Sequence, residues 1–298
     1  TVDERSCGGY VAPGVGANRH VESMHAPHPL AVRFPNPVRM LIPIGDDDRA
    51  LTGPAFVTLI ILALNIGVFF LAQGGGSDLA FTYGWSVIPQ EITEGVDLTE
   101  RQAVEVRGRE VEIPQAPGPA PIYLTLLSAM FMHGGYAHLF GNLLYLWIFG
   151  DNVEQRMGTA GFLGFYLACG LAATIAQILL NPDGVVPNLG ASGAISGVLG
   201  AYIVFFPRNR VHALFFYHIV SVPAFVAIGI WIAFQFFNGF GAVVASEATL
   251  GGVAYGAHIG GFAAGLGIAG LVRVLSGAKP TNRDVIVERY QHQHDGRG

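Results

Sequence analysis

Four side chains able to carry out acyl transfer stand in three separate apolar stretches. They are Ser192 in GASGAISG (190–197), His258 in GAHIGGFAAG (256–265), and His138 with Asn142 in the run that starts at 133. A serine hydroxyl becomes a useful nucleophile only beside a base, and a neutral imidazole is a common one. The tetrahedral oxyanion that follows attack then needs donors, worth about 3–4 kcal/mol each in favourable cases. His138 and Asn142 are spaced i, i+4, so on a helix they share one face, and both can donate. The same residue types also have a plainer use. Serine and asparagine join apolar helices by hydrogen bonds, and a histidine can be satisfied by a neighbouring carbonyl. No carboxylate lies inside the apolar spans to complete a Ser-His-Asp triad, so a catalytic set built from these residues is a dyad.

The elements that hold these residues follow from composition. Of 298 residues, 51% are hydrophobic and 12% charged, and the mean hydropathy is +0.46. Soluble domains carry about 25% charged residues, so the chain reads as an all-α polytopic membrane protein. The net charge of −5, with no basic stripe, gives no support to nucleic-acid binding. Cys7 and Cys169 make no disulfide framework and no CxxC. The scattered His20, His25 and His28 do not form a metal-ligand pattern, and neither a metal nor a cofactor is expected.

Six segments are long and apolar enough to be read as spans: 54–72, about 138–150 with an upstream extension, 161–180, 191–206, 222–241 and 253–275. With six spans, Arg33, Arg39, Arg49, Arg156, Arg208, Arg210, Arg273 and Lys279 all fall on one side, which predicts both termini in the cytoplasm. Under that topology the second, fourth and sixth spans run from outside to inside. His138, Asn142, Ser192 and His258 then share one layer near the outer ends of three helices. Gly193, Gly197 and Gly200 on the fourth span and Gly256, Gly260, Gly261 and Gly265 on the sixth predict close helix packing that brings His258 to Ser192. Residues 1–50 read as a flexible cytoplasmic tail, 51–275 as the six-span domain, 73–124 as a large structured outer loop, and 276–298 as a polar cytoplasmic tail.

These residues and their order resemble the rhomboid family of intramembrane serine proteases. HGGYAHLFGNLLYLWIFGDNVE (133–154), GASGAISG and AHIGGFAAG match the three family signatures, and the resemblance covers roughly 54–275. It implies a six-helix bundle with Ser192 as nucleophile and His258 as general base. It implies an oxyanion hole from Asn142, His138 and the backbone N–H of Ser192. It also implies cleavage of single-pass transmembrane substrates near the outer membrane face, with the lipid bilayer as surroundings and no cofactor. Two features depart from the resemblance. Many bacterial members carry, four residues after the nucleophile, a Tyr that stacks on the catalytic histidine, and that position is Ser196; Tyr255 is too far round to replace it. The Trp-Arg pair that many members have before the His-Gly-Gly run is missing from PIYLTLLSAMFMHGG.

Competing readings lack their own motifs. A zinc protease needs HExxH, which is absent, and an aspartyl type needs two intramembrane aspartates, whereas only Asp151 comes near. A transporter predicts inverted repeats, and none is evident. A catalytically inactive rhomboid-like scaffold that binds transmembrane helices is the alternative to the protease, although such a protein usually loses the Ser or the His. The compact six-span plan predicts a bacterial cytoplasmic membrane.

Overall fold

The computed structural model describes residues 42–47, 53–106, 109–244 and 254–276. The readings placed on 1–41 and 277–298, which include Cys7 and the tail histidines, lie outside these residues. Each of the six apolar segments is helical. α1 (Phe56–Gly67) runs on as a π-helical turn, Val68–Ala72, and is followed by two short helices, α2 (Leu79–Gly84) and α3 (Pro89–Glu94). After a one-turn α4 (Thr125–Ser128) come the long helices α5 (Tyr136–Met157), α6 (Thr159–Leu180), α7 (Ser192–Phe205), α8 (Ala224–Val244) and α9 (Tyr255–Ser276). Among the described residues, α6 and α9 are long and apolar enough to cross a membrane by length and composition.

The boundaries have local causes. α5 places Arg156 in its last turn, where a cation opposes the negative end of the helix dipole. It stops at Gly158, whose φ of 77° turns the chain so that α6 starts at the next residue. α1 has no capping side chain of its own. Instead the buried Glu154 of α5 accepts hydrogen bonds from Val57 N (2.9 Å), Thr58 N (2.8 Å) and Thr58 Oγ1 (2.9 Å). One carboxylate thereby satisfies the orphan donors of one helix from the side of another.

α7 is the centre of the bundle. Almost all of its residues from Gly193 to Phe205 are buried, and it packs against α5, α6, α8 and α9. Its 14 residues rise about 21 Å, against about 33 Å for the 22-residue helices around it.

Two small sheets, absent from the sequence reading, decorate the helices. In the long connection between α1 and α4, β2 (Gln102–Val106) pairs antiparallel with β3 (Arg109–Ile113). Elsewhere, β1 (Ile42–Asp46), β4 (Arg210–Phe215) and β5 (His218–Pro223) form an antiparallel sheet in the order β1-β4-β5. β1 falls within the segment read as a flexible tail, and it is tied down. The Asp46 carboxylate accepts from Asn152 Nδ2 at 3.0 Å and from the Tyr202 hydroxyl, so β1 is joined to the ends of α5 and α7.

Candidate active site

α7 and α9 run parallel, in a register that puts Gly193 against Gly261 and Gly197 against Gly265. Methyl groups built on Gly261 and Gly265 would lie 2.0 Å from the Gly193 carbonyl oxygen and 2.1 Å from that of Gly197. Only glycine allows such an approach, and Gly200 meets the Phe262 carbonyl in the same way, at 2.5 Å. Gly256 and Gly260 behave differently from the sequence reading: they face α6, against Leu180 and Gln177, and against Ala176. α9 therefore carries two glycine stripes, one for each neighbour. This close contact sets His258 Nε2 2.8 Å from Ser192 Oγ.

His138 and Asn142 occupy the first two turns of α5. Asn142 is buried, and among the described residues its Nδ2 has no hydrogen-bond partner. An unmatched buried donor costs about 1–3 kcal/mol, and Asn65 Nδ2 and both His133 ring nitrogens share this condition among the described residues. Gly134 N donates a long bond, 3.4 Å, to His138 Nδ1, which leaves the hydrogen of a neutral ring on Nε2. Gly190, at φ 126°, explains what that N–H faces. A methyl on Gly190 would sit 2.7 Å from His138 Nε2 and 3.7 Å from Ser192 Oγ, so glycine keeps open a space that both polar atoms border. Ser192 is the first residue of α7, where backbone N–H groups lack an intrahelical acceptor.

Three residues of this region escaped the sequence reading. Gln235 of α8 lies with Oε1 2.8 Å from His258 Nδ1. Trp231, one turn earlier, puts its ring 5.8 Å from the imidazole at an interplanar angle of 36°. Trp231 is thus the aromatic neighbour of His258, while the buried Ser196 donates back to Ser192 O at 2.6 Å. Gln73, fully buried beyond α1, grips the backbone of His133: Nε2 donates to His133 O at 2.8 Å, and Oε1 accepts from His133 N at 2.9 Å. That pairing fixes the start of the segment that carries His138 and Asn142.

Val87, in the long connection after α1, and Ala129, just after α4, hold the chain that leads into Ser192. Val87 and Asn188 exchange backbone hydrogen bonds of 2.9 and 2.7 Å, and Gly190 N donates to Ala129 O at 2.8 Å. On α3, burial raises the Glu91 carboxyl to about 7, with the Leu98 N–H opposing the rise and Asp97 adding to it. A cavity of about 40 Å³ lies beside Ser192, lined among others by Met130, Thr174, Gln177 and Gly190. It has room for more than one water or for a small side chain. Among the described residues no cluster of His, Cys, Asp and Glu forms a metal-ligand group.

The geometry can be set beside known proteins. A family model described as a rhomboid domain matches residues 122–274, which hold all four polar side chains and every helix from α5 to α9. The chain is 44% identical over 85 residues to rhomboid protease GluP of Bacillus subtilis, covering 28% of this chain and 16% of that protein. It is 31% identical over 142 residues to the mitochondrial rhomboid protein 1 of Saccharomyces cerevisiae, covering 46% of this chain and 38% of the relative. It is 34% identical over 84 residues to the chloroplastic rhomboid-like protein 11 of Arabidopsis thaliana, covering 28% and 30%. Each match spans less than two fifths of the relative's own length.

Proposed function

The chain belongs to the rhomboid family, with its helical, multi-pass membrane fold, and from that premise we propose that it is an intramembrane serine endopeptidase. Ser192 is the nucleophile. Its Oγ forms the bond to the scissile carbonyl carbon as its proton passes to His258 Nε2, across a contact of 2.8 Å. The carbonyl electron pair moves onto oxygen, where Asn142 Nδ2, His138 Nε2–H and Ser192 N–H are the donors that receive it. His258 then returns the proton to the leaving amine, and water attacks the acyl-enzyme by the same route in reverse.

The cavity beside Ser192 gives that water a place to wait. The helices run as six spans with both ends at the inner face, so the site opens toward the outer side of the bilayer. Substrates are single-pass transmembrane segments, cut where small, helix-breaking residues expose a peptide bond. The membrane is the bacterial cytoplasmic one, as the compact six-span plan suggests, although relatives named for mitochondria and chloroplasts share the family.

The observation that carries this reading is the 2.8 Å pairing of Ser192 with His258, with His138 Nε2 bordering the same space at Gly190. The test is cleavage of a model transmembrane substrate by the full chain reconstituted in lipid. Wild type should cut near the outer face, and folded Ser192→Ala and His258→Ala should not. A folded wild type that leaves several such substrates intact would favour the inactive scaffold instead.

A further inference from the structure

Gln235 sits midway along α8 in the run WIAFQFF, with 7% of its surface exposed. Burying an amide is costly unless its polar atoms are matched. Among the described residues its oxygen is matched by one group, His258 Nδ1, at 2.8 Å. One turn away on the same face, the Trp231 ring lies 5.8 Å from the imidazole, tilted by 36°. Two successive turns of α8 therefore meet His258, one at its ring and one at its nitrogen.

The chemistry of the pair is directional. An amide oxygen has no proton to give, so the hydrogen of this bond belongs to Nδ1. A neutral imidazole carries one N–H, which leaves Nε2 as a bare acceptor 2.8 Å from Ser192 Oγ. The opposite tautomer would point an N–H at Oγ and leave nothing to take the serine proton. Histidine bases elsewhere are held in the productive form by an aspartate. At membrane depth a carboxylate is expensive, and an amide supplies the same acceptor without a charge.

Resting on the serine-hydrolase reading, we propose that Gln235 is the positioning residue that holds His258 in the tautomer able to accept the Ser192 proton, so that α8 must be seated for the base to work. The bond persists through the reaction, because the imidazolium formed during attack still donates from Nδ1 to Oε1. Beyond its contacts with α7 and α9, α8 packs on the β4–β5 hairpin from which it springs.

The experiment compares wild type, Gln235→Met and Gln235→Glu as full-length protein in detergent. Histidine side-chain ¹⁵N NMR reads the tautomer, and fluorophosphonate labelling as a function of pH reads the base. Gln235→Met keeps the volume and removes the acceptor. It should lose the protonated Nδ1 signal and label about ten- to a hundred-fold more slowly, with KM for a substrate unchanged. Gln235→Glu should restore labelling and, by favouring the imidazolium, move the acid limb of the profile to higher pH. Wild-type tautomer or wild-type labelling in Gln235→Met would overturn the proposal. So would an unmoved acid limb in Gln235→Glu, a variant that also serves if the methionine form does not fold. A wild type that holds the tautomer but never labels would sink the hydrolase reading instead.

Discussion

Gly261→Ala is the sharpest perturbation of the α7–α9 contact. The added methyl would lie 2.0 Å from the Gly193 carbonyl oxygen, and side-chain Cβ atoms essentially never come within 3.0 Å of such an atom. The obstacle is backbone, so no side chain can swing aside, and α9 has to retreat by about 1 Å or more. His258 lies one turn away on α9 and Ser192 is the neighbour of Gly193. A retreat of that size opens the 2.8 Å contact between Nε2 and Oγ to a separation at which a hydrogen bond no longer holds. A misplacement of this order costs about a hundred-fold in rate, and the overpacking costs about 1–3 kcal/mol in stability. Gly270→Ala is the control, because a methyl there has nothing within 4 Å. Labelling by a fluorophosphonate and thermal unfolding in detergent would be measured on both variants. Gly261→Ala reacting at the wild-type rate while folded would refute the claim that this glycine contact sets the Ser192–His258 distance.

Other expectations follow from single contacts. Asn142→Ala removes the unmatched donor. It should lower kcat about a hundred-fold or more with little change in KM, the mark of a group that acts on the transition state. Glu154→Ala strips three hydrogen bonds from the start of α1. It should destabilise the fold by about 3 kcal/mol or more, seen as a lower Tm, with Glu154→Asp intermediate. Glu91 has a folded carboxyl raised to about 7 from 4.5. Its neutral form is the one burial favours, so its contribution is complete below about 4.5 and is lost as pH rises through 7. Tm should therefore fall between about pH 4.5 and 7, and Glu91→Gln should flatten that fall; an identical slope in the variant would remove Glu91 as the cause.

The residues show why some features were legible in the sequence and others were not. The six helices announced themselves through apolar length, and their ends lie within about three residues of the segments read as spans, except that α5 runs on to Met157, well past the end read at about 150. The α7–α9 contact was legible because glycine at four-residue spacing has few other uses in an apolar helix. What the glycines left open was direction: nothing in GAHIGGFAAG says that Gly256 and Gly260 face α6 while Gly261 and Gly265 face α7.

Gln73 lies one residue past the first span, 54–72, and Gln235 is a lone amide away from the Gly- and Ser-rich motifs, so neither stood with the residues that signal chemistry. An uncharged amide inside WIAFQFF was a visible signal, since burying it requires a partner. The β4–β5 hairpin was hidden by span counting, although Arg210, Val211, His212 and Ala213 alternate exposed and buried with a period of two. Its pairing with β1 was not legible at all, because Ile42–Asp46 meets Arg210–Phe215 across more than half of the chain.

The central claim is that Ser192 is an activated nucleophile rather than a packing serine. The most direct test is to react the purified full-length protein with a fluorophosphonate and locate the adduct by peptide mass spectrometry. A single adduct on Ser192, absent in folded His258→Ala, is the expected result. A folded wild type with no adduct, or one on another residue, would contradict it and return Ser192 to the contact between α7 and α9.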